Sequence, residues 1–331
     1  MSNVSTVLIL GARGRFGQAA ACAFAAAGWH VIAQMRPGGA ALPIAGVRWI
    51  EVRPEDTATL AAQAHGATVV VQALSPPYSH RVWRREVPRL TQAAIAITRE
   101  LGATLMLPAS VYNFGSELPA LLREETPQVA NTVKGALRID SETLIRSSVA
   151  DGGMRAVVIR AGDFFGSGSG SWLDLVMAKE LRGGKFTYPG PLDLPHAWAY
   201  LPDLAQCFVR VAGARERLTP FELLHFAGHT LAGSDWRDTL TDIAWEEGCL
   251  GAGAKLKHGS LPWPLLRVLG LVMPTFEALA EMRYLWRRSH QLVDTRMQQL
   301  LGAQRQTPFP DAVRRALAEL AMFQRGPAVT A

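Results

Sequence analysis

Four apolar residues, Val7-Leu-Ile-Leu10, run directly into the loop Gly11-Ala-Arg-Gly14-Arg-Phe-Gly17, and the alanine-rich stretch Gln18–Ala27 follows, closed by Gly28. A short, wholly apolar run is what a strand buried on both faces requires. Alanine favours a helix after it, and glycine is a common stop. Strand, glycine turn and helix in immediate succession form a phosphate site. The glycines let the backbone approach a pyrophosphate, and the helix N-terminus offers free N–H groups and the positive end of a dipole. The alternative is a tight strand–helix turn that holds nothing. Inside a βαβ unit at the chain start, the GxxGxxG spacing predicts a dinucleotide against Gly11, Arg13, Gly14, Arg15, Phe16 and Gly17.

The pattern continues in the same rhythm. Strands are expected at His30–Ala33, Val47–Val52, Thr68–Ala73, Thr104–Leu107 and Ala156–Arg160, with helices at Thr57–Ala64, Val87–Leu101 and Val133–Ala150. Alternation of this kind predicts an α/β fold of Rossmann type, a doubly wound parallel sheet with helices on both faces. After Gly162 the character changes to a Gly/Ser loop, Gly166–Gly170, and then to helical, Trp- and Pro-rich sequence. Ala197–Leu201 and the helix after it read as a return to the sheet. The division expected is a nucleotide-binding domain over residues 1–165 plus 196–212, and a smaller, mostly helical substrate cap over 166–195 and 213–331.

The second strand bears on which dinucleotide is bound. NAD sites usually place an acid at its end, to accept hydrogen bonds from the ribose 2′-hydroxyl. Here the strand ends Ala33-Gln34-Met35-Arg36, and the first acidic residue anywhere in the chain is Glu51. Arg13 in the loop and Arg36 at the strand end are suited to bidentate contacts with a 2′-phosphate. NADP(H) is therefore expected rather than NAD.

Composition narrows the remaining classes. With 49% hydrophobic and 19% charged residues among 331, the chain supports a real core. Its net charge of +6 is scattered, which argues against a nucleic-acid footprint and suits an anionic ligand. Three distant cysteines imply neither a disulfide framework nor a zinc site, and no metal is expected. The N-terminal apolar run is too short for a signal peptide, so a cytoplasmic location is expected. No stretch reaches the roughly 18 apolar residues of a membrane span. Leu261–Pro274 is apolar but broken by Pro262, Pro264 and Arg267; it reads as a lid over a site or a segment that touches a membrane surface.

The chain resembles the extended and atypical short-chain dehydrogenase/reductases along nearly its whole length. Besides the glycine loop, Arg160-Ala-Gly-Asp-Phe-Phe-Gly166 is similar to the segment lining the nicotinamide side. Tyr200-Leu-Pro-Asp203-Leu-Ala205 and Gln291–Gly302 with Thr307-Pro308 are similar to later stretches of NAD-dependent epimerase/dehydratases. The resemblance implies that Ala73, Leu74, Arg138, Ala161 and Gly162 contact the cofactor. It also implies a catalytic Y-x-x-x-K helix and a Ser/Thr at the fifth strand, and here the chain departs. Lys134 stands at the Tyr position, Arg138 at the Lys position and Pro108 at the Ser/Thr position. Leu107-Pro-Ala-Ser110…Phe114-Gly115 with Lys134…Arg138 resembles instead the isoflavone reductase/NmrA-like branch, whose reductases use a lysine as acid/base.

These resemblances imply an NADP(H)-dependent oxidoreductase acting by hydride transfer on a small to medium, largely apolar carbonyl or conjugated substrate. Lys134 would donate the proton, with Tyr112 and Ser110 orienting the substrate. The other reading of Lys134 is a lysine on the exposed side of its helix. Tyr78 falls on the loop that passes over the cofactor, and Trp172, His196 and Trp198 are candidates to line the pocket. Two alternatives stand beside this one: a non-catalytic NADP-sensing protein, and a nucleotide-sugar epimerase/dehydratase with a rearranged site. By analogy, helices Val87–Leu101 and Val133–Ala150 would pair in a homodimer.

Overall fold

The computed structural model describes residues 4–323 apart from 252. The outermost residues of the two expected domains, 1–3 and 324–331, lie outside the described residues. The chain begins β1 (Thr6–Leu10), α1 (Arg15–Ala26), β2 (His30–Met35), β3 (Val47–Glu51), α2 (Thr57–Gln63), β4 (Ala67–Gln72), α3 (His80–Glu100) and β5 (Thr104–Ala109). A two-residue strand, β6 (Leu121–Leu122), precedes α4 (Val133–Ala150), β7 (Arg155–Arg160) and β8 (Asp163–Phe165). Then come β9 (Lys185–Tyr188), β10 (His196–Tyr200), α5 (Leu201–Gly213), β11 (Phe221–His225), β12 (His229–Leu231) and α6 (Gly233–Glu246). The chain closes with β13 (Lys257–Ser260), α7 (Trp263–Leu269), α8 (Pro274–Glu281), β14 (Gln291–Leu292), α9 (Thr295–Leu301) and α10 (Phe309–Glu319).

Seven parallel strands form the central sheet in the order β11-β7-β5-β4-β1-β2-β3. The expected Rossmann-type α/β architecture is what the chain adopts. Alternate residues of β1 serve different layers. Val7 and Ile9 pack with α1 and α5, whereas Leu8 and Leu10 pack with α2, α3 and α4. Burial on both faces explains why β1 has no polar position. The small side chains Ala19, Ala20 and Ala23 let α1 lie close to α5. Local caps agree with the register: Asp56 accepts from Thr59 N at 3.2 Å to start α2, and Thr132 Oγ1 accepts from Gly135 N at 3.0 Å to start α4.

Two expectations are corrected. α3 begins seven residues earlier than Val87, at His80, because Trp83 and Val87 share its buried face and Pro88 is tolerated inside it. Ala197–Leu201 does not rejoin the central sheet. β10 pairs in parallel with β8 and antiparallel with β12 in a separate three-stranded sheet. The edge next to β7 is taken by β11, from Phe221↔Ala156 to His225↔Arg160, although residues 221–225 lie in the stretch expected as cap. A second cluster of buried residues, apart from the layers that flank the central sheet, packs Trp198, Trp236, Trp286, Tyr188 and Phe165 together, so Phe165 and Trp198, expected in the nucleotide-binding domain, share a core with residues expected in the cap.

Candidate functional site

The glycine loop follows the C-terminal end of β1. Gly11 takes a positive φ of 75°, and a Cβ there would stand 3.0 Å from Leu74. Its N–H donates to Gln34 Oε1 at 2.8 Å, and Gln34 Nε2 donates to Val52 O at 2.5 Å. The fully buried Gln34 thus ties the loop to β2 and β3. Gly14 is exposed at the N-terminus of α1, and no side chain caps that terminus. Its open N–H groups and the space a Gly14 side chain would fill are what a pyrophosphate needs. Phe16 packs into the core against Phe164 and Phe208, so only its backbone faces this site.

Arg13 lies over the turn after β2. A Cβ on Gly39 would be 2.9 Å from its Nη1 and 3.2 Å from Arg36 O, so Arg13 and the Arg36 backbone meet at one turn. That turn also meets an acid. Glu51 Oε2, from the end of β3, accepts from Gly38 N at 2.9 Å. Arg15 turns the other way, where Nη1 donates to Phe164 O at 3.3 Å. Burial lowers the pKa of its guanidinium, opposed by the nearby Asp174 and Asp163. Ala73 N donates to Leu10 O at 2.9 Å and keeps the next loop against the first. Ala161 is buried, and a Cβ on Gly162 would fall 2.1 Å from Ala197 O, so Gly162 is required by its approach to β10.

Lys134 is not on an exposed helix face: its side chain is wholly buried. Nζ donates to Ala278 O at 2.6 Å and stands 3.4 Å from both Glu281 Oε2 and His80 Nε2. It also lies 4.3 Å from the centre of the Tyr78 ring. Burial pushes its pKa down to about 8, against the opposing pull of Glu281. Glu281 does three things at once. Its Oε1 accepts from Val133 N at 2.6 Å, capping α4, while Oε2 meets Lys134 and, at 3.1 Å, His80 Nε2. Helix α8 of the cap is thereby latched onto α3 and α4.

Tyr78 and Tyr112 lie next to each other. Burial raises both phenols well above their ordinary pKa, helped by Asp163 in each case, with Arg138 and Arg15 pulling Tyr112 the other way. Ser110 Oγ accepts from Tyr112 N at 3.5 Å. Arg138 lies 5.0 Å from the Trp83 ring and shares a narrow cleft with Leu74, Pro76 and Leu107. The structure therefore places Arg15, Arg138 and Tyr78 near Tyr112, and Lys134 against Tyr78.

Beneath Tyr112 runs a buried ion pair. Arg160 donates through Nε and Nη2 to Glu142 at 3.2 and 2.6 Å. Asn113 bridges Ser110 O and Arg160 when its amide is turned to satisfy both ends. Glu142→Ala would strand a fully buried guanidinium, so urea unfolding should show a loss of about 3–5 kcal/mol. A loss under about 1 kcal/mol would mean that the pair does not hold this platform.

His196 and Trp198 do not line an open pocket. Both are buried, with His196 Nε2 2.9 Å from Asp163 Oδ2 and its ring stacked 4.4 Å from Trp286. Trp172 packs 4.9 Å from the same Trp286. Sequence reasoning missed His80, Asp163, Gln34 and Glu281. His80 stands two residues from Tyr78 and is a buried titratable group, but nothing near Lys134 in sequence points to Glu281, 147 residues away.

The sequence model of the NAD dependent epimerase/dehydratase family matches residues 7–223. A comparison with curated protein sequences returned no match. Among solved structures, the chain is similar to UDP-glucose-4-epimerase from Stenotrophomonas maltophila with bound NAD and formylated UDP-arabinopyranose. The TM-score is 0.73 at 13% identity, over 96% of this chain and 98% of that one. The Bordetella bronchiseptica enzyme WbmH in complex with NAD+ gives 0.70 at 17%, over 96% and 98%. UDP-glucose 4-epimerase from Thermotoga maritima with UDP-glucose gives 0.70 at 13%, over 95% and 98%. With a match covering the nucleotide loop and nearly all of the central sheet, this chain belongs to the NAD-dependent epimerase/dehydratase family.

Proposed function

We propose that the chain is an NADP(H)-dependent enzyme acting by hydride transfer at a hydroxyl or carbonyl carbon of a polar, sugar-like substrate, with the usual tyrosine–lysine pair replaced by Lys134 and Tyr112. The observation that carries this reading is the buried, low-pKa Lys134 on the first turn of α4, against the Tyr78 ring. A bound nicotinamide supplies the hydride donor or acceptor. Lys134 holds the exchangeable proton, because its pKa of about 8 lets both forms exist near neutral pH. Tyr112 and Tyr78 stay protonated and donate hydrogen bonds to a substrate oxygen. Arg15 supplies a cation for an anionic group.

The polarity of the groups around Tyr112 supports a polar substrate. Trp198 and His196, which would have made an apolar wall, are buried among the aromatic residues around Trp286, and the groups near Tyr112 are Asp163, Arg138, Tyr78 and Arg15. That favours the nucleotide-sugar reading over an apolar carbonyl, and it agrees with the UDP-sugars bound by the structural neighbours. The test is a panel of nucleotide sugars beside apolar ketones and enones, followed by product chromatography and nicotinamide absorbance. Turnover confined to the ketones and enones would overturn the substrate class. Cofactor binding with no turnover of either set would favour the sensor alternative.

Cofactor choice gives a separate test. Arg13 and Arg36 at the turn after β2 should favour NADPH over NADH by at least about 10-fold in calorimetric titration. Glu51 at the same turn works against the 2′-phosphate, so Glu51→Gln should widen the preference and Arg36→Ala should shrink it. Equal binding of the two cofactors would return the site to NAD.

A further inference from the structure

Half of the large hydrophobic side chains that are exposed among the described residues fall within one short stretch. Leu265 is 53% exposed, Val268 63%, Leu271 84%, Val272 77% and Met273 47%. They form the tip of the α7–α8 hairpin, and clustering at a single protrusion separates them from the scattered apolar residues of any surface. The tip is ordered by its own backbone. Gly270 N and Met273 N donate to Leu266 O and Leu269 O, each at 2.9 Å, and Val272 N donates to Leu269 O at 3.1 Å. Little ordering is therefore required when it docks.

Charge identifies what it docks on. Residues 255–290 carry Lys255, Lys257, Arg267, Arg283, Arg287 and Arg288 against only two acids, Glu277 and Glu281. Both acids are engaged by His80, and Glu281 also by Lys134. We propose that the hairpin tip inserts into an anionic lipid surface. No helix among the described residues is long and apolar enough to cross a membrane, so this is attachment and not a span. The dimensions suit it. An eight-residue α8 is about 12 Å long, and interfacial segments bury their apolar side about 5–10 Å deep. An inserted tip leaves the basic residues at the base of the hairpin at headgroup level.

A second copy of the chain fits the tip less well, since two such basic segments repel. A stable protein interface also needs about 800 Å² from each partner, more than a narrow convex tip offers. Helix α8 carries the tip at one end and Ala278 and Glu281 at the other, so a surface that takes the tip also holds the roof over Lys134.

Vesicle co-sedimentation of the full chain tests the proposal, with phosphatidylcholine alone and phosphatidylcholine mixed with phosphatidylglycerol. Binding is expected to the anionic vesicles, weakened by salt. The double variant Leu271→Asp/Val272→Asp should reduce the bound fraction by at least about 10-fold. Both side chains are exposed, so folding is retained, and circular dichroism checks that. Leu175→Asp, at a 60% exposed site outside the hairpin, should change nothing. Failure of the wild type to bind anionic vesicles would overturn the proposal, as would undiminished binding by the double variant. Sedimentation velocity without vesicles supplies the remaining arm: a dimer that the double variant dissociates would assign the tip to contact between copies instead.

Discussion

Gly14→Val should abolish cofactor binding in a chain that still folds. Gly14 sits at φ −71° and ψ 159°, a conformation open to any residue, and its added Cβ would meet Gly11 O at 3.3 Å, a contact the loop can relieve by a small shift. The branched side chain then occupies the approach to the α1 N-terminus, where a pyrophosphate must come within hydrogen-bond distance of backbone N–H groups. Gly17→Ala provides the contrast. Its Cβ would fall 2.4 Å from Gly11 O and 2.8 Å from Ala12 Cα, both backbone, so the loop itself must deform and thermal stability should fall. Circular dichroism reports folding and quenching of intrinsic fluorescence reports binding. A folded Gly14→Val variant with unchanged affinity would refute the nucleotide site.

Lys134→Ala should cut turnover by roughly 10²–10⁴-fold, the usual contribution of a placed acid or base, while cofactor affinity falls far less. Lys134→Arg should not restore activity, because guanidinium releases its proton too reluctantly. The pH profile makes the assignment specific. With a pKa of about 8, the ammonium needed for carbonyl reduction is lost as pH rises through about 8, so reduction should decline there. The oxidation direction needs the neutral amine and should climb through the same range. The stability consequence has a definite sign as well. The folded pKa lies below the ordinary 10.5, so the unfolded chain binds more protons between about 8 and 10.5. Burial of the charged lysine therefore costs most below pH 8, and that cost is relieved as pH rises toward 10.5. Turnover that survives Lys134→Ala, with the same pH profile, would move the proton to Tyr112 or to water.

Much of the molecule is legible in the sequence because it rests on local rules. The Val7–Leu10 run, the glycine loop and the alanine helix are contiguous, and burial on two faces leaves a parallel strand with no polar position. The same logic locates α4 to the residue, from Val133 to Ala150. It fails where pairing is non-local. Nothing in Phe221–His225 says that it completes the central sheet, or in His196–Tyr200 that it belongs to a small sheet with β8 and β12, because either strand could satisfy an edge. The site divides in the same way. Residue types single out Arg13 and Arg36, the family resemblance adds Tyr112 and Lys134, and neither decides whether Lys134 faces solvent. Only the tertiary structure decides that, by bringing Glu281 and Ala278 from a helix at the far end of the chain onto the first turn of α4. An ammonium takes its pKa from what surrounds it, and for Lys134 those surroundings come from α3 and α8 and not from its own helix.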